Sequence, residues 1–219
     1  MNRGTSEATS DWNGGWTGLI PVKELAVAKS RLELPPRRRA ALVLAMAGDV
    51  VSAMLATPRL HHLVVVTDDP TVQAAFSGRC TVIEDRPRAG LSAALAHAAA
   101  VAHDRWPDQG VVALAADLPA LTADALEAVL ARCPPGRSVV PDAIGTGTVL
   151  LAATPGTMLE PSYEGQSFAA HRNSGAFDLA PFADPRLRRD VDTLADLTIA
   201  RALGVGPATT AALAGALAD

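Results

Sequence analysis

Val111-Val112-Ala113-Leu114-Ala115-Ala116-Asp117-Leu118-Pro119 is an apolar run that ends in a single carboxylate. Its length and composition predict a buried strand over Gly110 to Ala116, stopped by Pro119. An acid at the end of such a strand is costly unless something pairs with it. In open α/β sheets, the carboxyl ends of the strands are where ligands bind. Asp117 is therefore read as a functional acid.

Working outward, strands and helices alternate. Gly18-Leu19-Ile20-Pro21-Val22 reads as the first strand and Arg37 to Leu55 as a helix opened by Pro35-Pro36. Leu63 to Thr67 reads as a second strand. Asp69 then caps a helix that Pro70 starts. Thr81-Val82-Ile83 is a third strand, Leu91 to His103 an Ala-rich helix, and Thr122 caps the helix after the 110–116 strand. This alternation predicts an α/β fold: a mostly parallel, Rossmann-like sheet flanked by helices. Ser138 to Pro141 and Thr146 to Leu151 break the pattern. They read as a small β insertion, a hairpin or an addition at the sheet edge. Thr193 caps a helix ending near Leu203, and Pro207 starts the last one.

With 219 residues, 49% of them hydrophobic, the chain can bury a sizeable core, and a single domain over 17–219 is expected after a flexible polar tail over 1–16. Aromatics are only 4%, so Ala, Val and Leu must fill that core. A net charge of -4 argues against nucleic-acid binding as the main task. Cys80 and Cys133 are too few and too far apart for a disulfide scaffold or a zinc site, and read as two buried thiols. No apolar run is long enough to span a membrane, and a cytoplasmic location is expected.

Four stretches carry candidate chemistry. Asp190-Val191-Asp192-Thr193 offers two carboxylates that point the same way on an extended segment. With Asp117 they would make a magnesium site of a few carboxylates, waters and substrate phosphates, the usual way this ion is held. Lys23, Lys29 and Arg31 follow the first strand, where a Rossmann-type sheet places its phosphate loop, and can neutralise a triphosphate. A solvated basic loop is the bland alternative. Gly90-Leu91-Ser92 enters a helix and offers free N–H groups to an anion or a base, unless Ser92 is only an N-cap. Gly145-Thr146-Gly147-Thr148 allows close backbone approach, or is merely a hairpin turn. Ser167 and His171, four apart on one predicted helix with no GxSxG elbow, make a poor serine-hydrolase pair and suit substrate contact better. Asp68 and Asp69 at a helix start, and Asp196 in a capping box with Thr193, are structural. Leu203 to Thr209 resembles a DNA-binding hairpin, but a turn between two helices explains it.

Taken together, these residues resemble the guanylyltransferases that make the phosphoenolpyruvyl or 2-phospho-L-lactyl guanosine diphosphate precursor of coenzyme F420. The resemblance runs from Leu19 to Pro207. It rests on Pro21-Val22-Lys23 with Ala28-Lys29-Ser30-Arg31-Leu32, on Arg39, Met46 and Asp49, and on Gly90-Leu91. It continues through Asp117-Leu118-Pro119, Gly145 to Thr148, Ser167 with His171, Ser174-Gly175-Ala176, and Asp190 to Thr193 with Asp196-Leu197. It departs at Ser92, where the family usually has Asn, at Glu164, where a Gly is expected, and at Leu194, where Pro is common.

The resemblance implies a nucleotide-diphospho-sugar transferase-like fold, GTP as substrate and Mg2+ as cofactor. It implies Asp117, Asp190 and Asp192 as metal ligands, with Lys23, Lys29, Arg31 and Asp117 as catalytic residues. Nucleotide contacts would come from Pro21, Lys23, Lys29, Gly90, Leu91 and Ser92, and acceptor contacts from Thr148, Glu164, Gly165 and Ser167. An Ala- and Arg-rich chain points to a GC-rich, actinobacterial-type source, whose family members favour phosphoenolpyruvate. A downstream transferase that consumes the product is the implied partner. Two rival readings stay open. One is nucleotidyl transfer to another acceptor, such as molybdopterin or a sugar phosphate. The other is a non-enzymatic nucleotide- or nucleic-acid-binding module.

Overall fold

The computed structural model describes residues 14–215. β1 (Trp16–Pro21) leads through a loop with a 3-10 turn at Ser30–Leu32 into α1 (Pro36–Leu55). β2 (Leu60–Val66), α2 (Pro70–Phe76), β3 (Thr81–Ile83), α3 (Leu91–Arg105), β4 (Gly110–Leu114) and α4 (Ala123–Leu130) follow in the predicted alternation. Then come β5 (Arg137–Pro141), β6 (Thr148–Ala153), α5 (Ser167–Asn173), β7 (Phe177–Asp178) and a second 3-10 turn at Ala180–Phe182. The short α6 (Pro185–Arg188), α7 (Leu194–Leu203) and α8 (Pro207–Gly215) close the described chain.

The strands form one seven-stranded sheet in the order β3-β2-β1-β4-β6-β5-β7. β1 pairs in parallel with both β2 and β4, so the chain winds outward on one side of β1 and then returns to the other. That reversal is a topological switch point, where the loops after β1 and β4 part and leave a crevice.

Alternation along the strands sends successive side chains to opposite faces. Trp16, Ile20, Val112 and Leu114 pack with Met46, Val50 and Met54 of α1. Leu19, Val111 and Ala113 pack with Ala94, Leu95, Ala98 and Ala102 of α3. The alanines of α3 let that helix lie close on the sheet, as the low aromatic content requires.

Several expectations change. Trp16, assigned to the tail, opens β1 and is fully buried, while residues 1–13 of that tail lie outside the described residues. β4 stops at Leu114, so Asp117 stands in the loop beyond it. β6 is not an edge addition. It lies inside the sheet, antiparallel to β4 and β5, with all six residues buried. A strand covered on both faces reads as a continuous apolar run, which Val149 to Ala153 is. Ser92 is not an N-cap, because Gly90 takes that place. Cys133 is buried but Cys80 only half so, and both are free thiols. Thr193 and Asp196 do form the capping box, and Asp69 caps α2. No helix among the described residues is long and apolar enough to cross a membrane.

Candidate active site

The loop after β1 is fixed at two successive residues. The N–H of Leu25 donates to Asp69 Oδ2 at 2.9 Å, and Arg39 Nη2 donates to the carbonyl of Ala26 at 3.1 Å. Leu25 and Leu32 are buried beneath it. Lys29 sits between these anchors in a left-handed conformation (φ 53°), which turns its side chain into the crevice. Its ammonium donates to both Asp117 and Asp192. Burial pulls the Lys29 pKa down, but Asp117 and then Asp192 outweigh it, and the ammonium is held above the ordinary lysine value.

The three predicted acids are brought together by backbone contacts. Val191 is fully buried, and its N–H donates to the main-chain carbonyl of Asp117 at 3.1 Å. Asp190 and Asp192 flank it and both face the crevice. Arg188 ties the same segment to the end of β5 by donating to the carbonyl of Asp142 at 2.7 Å. Burial, followed by Asp117, Asp142 and Asp192, pushes the Asp190 carboxyl up to about 7. Asp117 Oδ1 is buried with no hydrogen-bond partner. An orphaned carboxylate oxygen beside an acid raised by its neighbours fits a site for an added cation. Among the described residues, no three His, Cys, Asp or Glu side chains are already gathered at metal-holding distances.

Two cavities meet at these acids. The first, about 370 Å³, is lined by Lys23, Lys29, Ser30 and Arg31 on one side and by Val43 and Met46 of α1 on another. The second, about 350 Å³, is lined by Asp142, Gly147, Thr148, Tyr163, Gly165, Ser167 and Asp190. Pro21, Leu91, Ala115, Asp117 and Asp192 line both, so the acids form a shared wall.

Most predicted contact residues reach these cavities. Gly90, Ser92 and Glu164 line neither. Ser92 Oγ donates to Glu164 Oε2 and accepts from the N–H of Tyr163, both at 2.9 Å, and so ties the start of α3 to the 163–165 turn.

Asp142 was missed by sequence reasoning. It accepts from the N–H groups of Gly145, Thr146 and Gly147 at 2.6, 2.9 and 2.8 Å, and so folds the glycine loop around itself. A Cβ at Gly147 would lie 2.5 Å from Asp142 Oδ2, which explains the glycine. An Asp opening a Gly-x-Gly turn was the available signal. The 203–209 segment has a structural explanation. Asp49 accepts from the N–H groups of Ala208 and Thr209 at 2.9 Å and caps α8.

A mostly parallel sheet with a switch-point crevice, basic loop residues on one side and acids beyond the strand ends fits the nucleotide-diphospho-sugar transferase class of fold. Solved structures share it: a Desulfovibrio desulfuricans G20 protein described as a nucleotide-diphospho-sugar transferase aligns with TM-score 0.65 at 18% identity over 94% of this chain and 96% of its own. A nucleotidyl transferase from Methanothermobacter thermautotrophicus aligns with TM-score 0.61 at 17% identity, over 86% and 97%. At that identity the likeness speaks for the fold alone. Sequence narrows it further. The chain belongs to the family described as guanylyl transferase CofC like, which matches residues 17–178. It is 50% identical over 202 residues to the phosphoenolpyruvate guanylyltransferase of Salinispora arenicola, covering 89% of this chain and 91% of that protein. It is 48% identical over 205 residues to that of Streptomyces avermitilis, covering 91% and 94%.

Proposed function

We propose that the protein transfers GMP from GTP to phosphoenolpyruvate, releases pyrophosphate, and so supplies the guanosine-diphosphate precursor of coenzyme F420. The observation that carries this reading is the shared wall. One cavity carries the cations suited to a triphosphate, the other the Thr148 and Ser167 hydroxyls suited to a small anion, and Asp117 and Asp192 stand between them. The relatives' names supply the two substrates.

Both reactants are anionic, so their repulsion must be offset before they approach. Lys23, Lys29 and Arg31 hold the triphosphate and the departing pyrophosphate. Thr148, Gly165 and Ser167 orient the acceptor. Its phosphate is already ionised at pH 7, so no strong general base is required, and positioning supplies most of the rate. Asp117, Asp190 and Asp192 would hold Mg2+, which when bound supplies positive charge to both phosphates. The product is an activated diphosphate, which a downstream transferase would consume.

The test incubates the protein with Mg2+, GTP and either phosphoenolpyruvate or 2-phospholactate, and follows pyrophosphate release and product mass. Guanylylated phosphoenolpyruvate is expected. A guanylylated 2-phospholactate alone would change the acceptor, and no product from either would overturn the reading.

A further inference from the structure

We propose that His171 is a positioning residue that sets the polarity of the acceptor cavity, holding the Thr148–Ser167 hydroxyl pair as a hydrogen-bond donor toward an anionic acceptor. The inference rests on the second cavity being the acceptor site and adds a residue that touches no substrate.

His171 is fully buried on α5, behind the wall of that cavity. Its Nε2 lies 2.8 Å from the N–H of Ser162. A main-chain N–H can only donate, so Nε2 must accept and carries no proton. A neutral ring then bears its proton on Nδ1. That nitrogen lies 3.1 Å from Thr148 Oγ1 and therefore donates to it. Burial first, and Arg137 second, lower the ring's pKa to about 4, in keeping with a neutral imidazole.

Thr148 Oγ1 is also 3.1 Å from Ser167 Oγ, and both residues are buried. The two hydroxyls share one hydrogen bond, so one of their two hydrogens is used between them. With His171 donating into the pair, the other hydrogen has no acceptor in this network. Thr148 and Ser167 both line the acceptor cavity, so this O–H is presented to its contents. A donor there suits a phosphate or carboxylate oxygen. A histidine protonated on Nε2 instead would clash with Ser162. It would also let Thr148 donate backward to Nδ1, and the cavity would lose its donor. One backbone amide thus fixes a tautomer, and the tautomer fixes the direction of the hydroxyls.

Two measurements test this. In 15N-labelled protein at pH 7, the imidazole of His171, assigned by its loss in His171→Asn, should carry its proton on Nδ1. A proton on Nε2 overturns the proposal, whatever the acceptor proves to be. In kinetics, His171→Ala should raise the KM for phosphoenolpyruvate about tenfold, the loss of one well-placed hydrogen bond, with the KM for GTP unchanged within about twofold. His171→Asn keeps an N–H for Thr148 and should recover most of that loss. In a Thr148→Val background, His171→Ala should add less than about twofold. Equal loss for both substrates, no recovery by Asn, or full additivity with Thr148→Val would each overturn it. If the wild type makes no product from phosphoenolpyruvate, the proposed function fails, while the tautomer still decides this inference.

Discussion

The main-chain N–H of Val191 donates to the main-chain carbonyl of Asp117 at 3.1 Å. This one bond joins residues 74 positions apart and sets the spacing of three acids without using any of their side chains. The carboxylates are left to face the crevice, where two of them hold Lys29 and one is pushed up to about 7. Keeping like charges this close costs stability, as expected of a site built for ligands rather than for the fold.

Asp117→Asn removes the charge and keeps the backbone bond to Val191. Turnover should fall by about 100-fold or more, the scale of losing one electrostatic stabiliser. The melting temperature should change little, because relief of repulsion with Asp190 offsets the weakened ion pair with Lys29. Pyrophosphate release and thermal unfolding check both. A rate close to wild type would remove Asp117 from the chemistry.

Asp69 accepts from the N–H groups of Thr71, Val72 and Leu25. Asp69→Ala therefore loses a helix cap and the anchor of the phosphate loop together. Stability should drop by roughly 2 kcal/mol, and the KM for GTP should rise more than that for the acceptor. Urea unfolding and paired KM measurements read this out. Equal KM changes would mean that the anchor does not shape the nucleotide side.

Gly206→Ala would place a Cβ 2.3 Å from Asp49 Cγ, where Asp49 is already held by Ala208 and Thr209. A loss of about 2 kcal/mol is expected with unchanged kinetic constants. Wild-type protein should show no salt-sensitive DNA binding in a gel shift, in line with a structural role for this turn.

His171 predicts a pH effect on stability. Its folded pKa is about 4, below the ordinary 6.5. Between those values the unfolded chain binds a proton that the folded chain refuses, so stability falls as pH drops from 6.5 toward 4. The loss approaches roughly 3 kcal/mol. Asp190, raised to about 7, acts in the opposite sense, losing stability as pH rises from 3.8 toward 7. The difference between wild type and His171→Asn isolates the histidine. A difference that does not grow on acidification would contradict its buried neutral state.

Much of this was legible in the residues. Asp69-Pro70, Thr122 and the Thr193–Asp196 box act within a turn of themselves, so each cap formed where its local sequence placed it. The acids at 117, 190 and 192 stand out because no helix cap or turn nearby in the sequence accounts for them. What stayed hidden depends on partners far along the chain. The position of β6 between β4 and β5 is decided by pairing across the sheet. Ser92 leaves its capping role for Glu164, 72 residues away. Asp142 reads as an ordinary turn residue until the fold sets it in the wall of the acceptor cavity, and His171, read as a substrate contact, proves to lie behind that wall.

The most direct test of the shared wall is a crystal structure with a non-hydrolysable GTP analogue, Mg2+ and phosphoenolpyruvate bound together. The triphosphate is expected along Lys23, Lys29 and Arg31, phosphoenolpyruvate against Thr148 and Ser167, and the α-phosphate beside Asp117 between them. Both ligands in one cavity, or an acceptor away from Thr148, would contradict it.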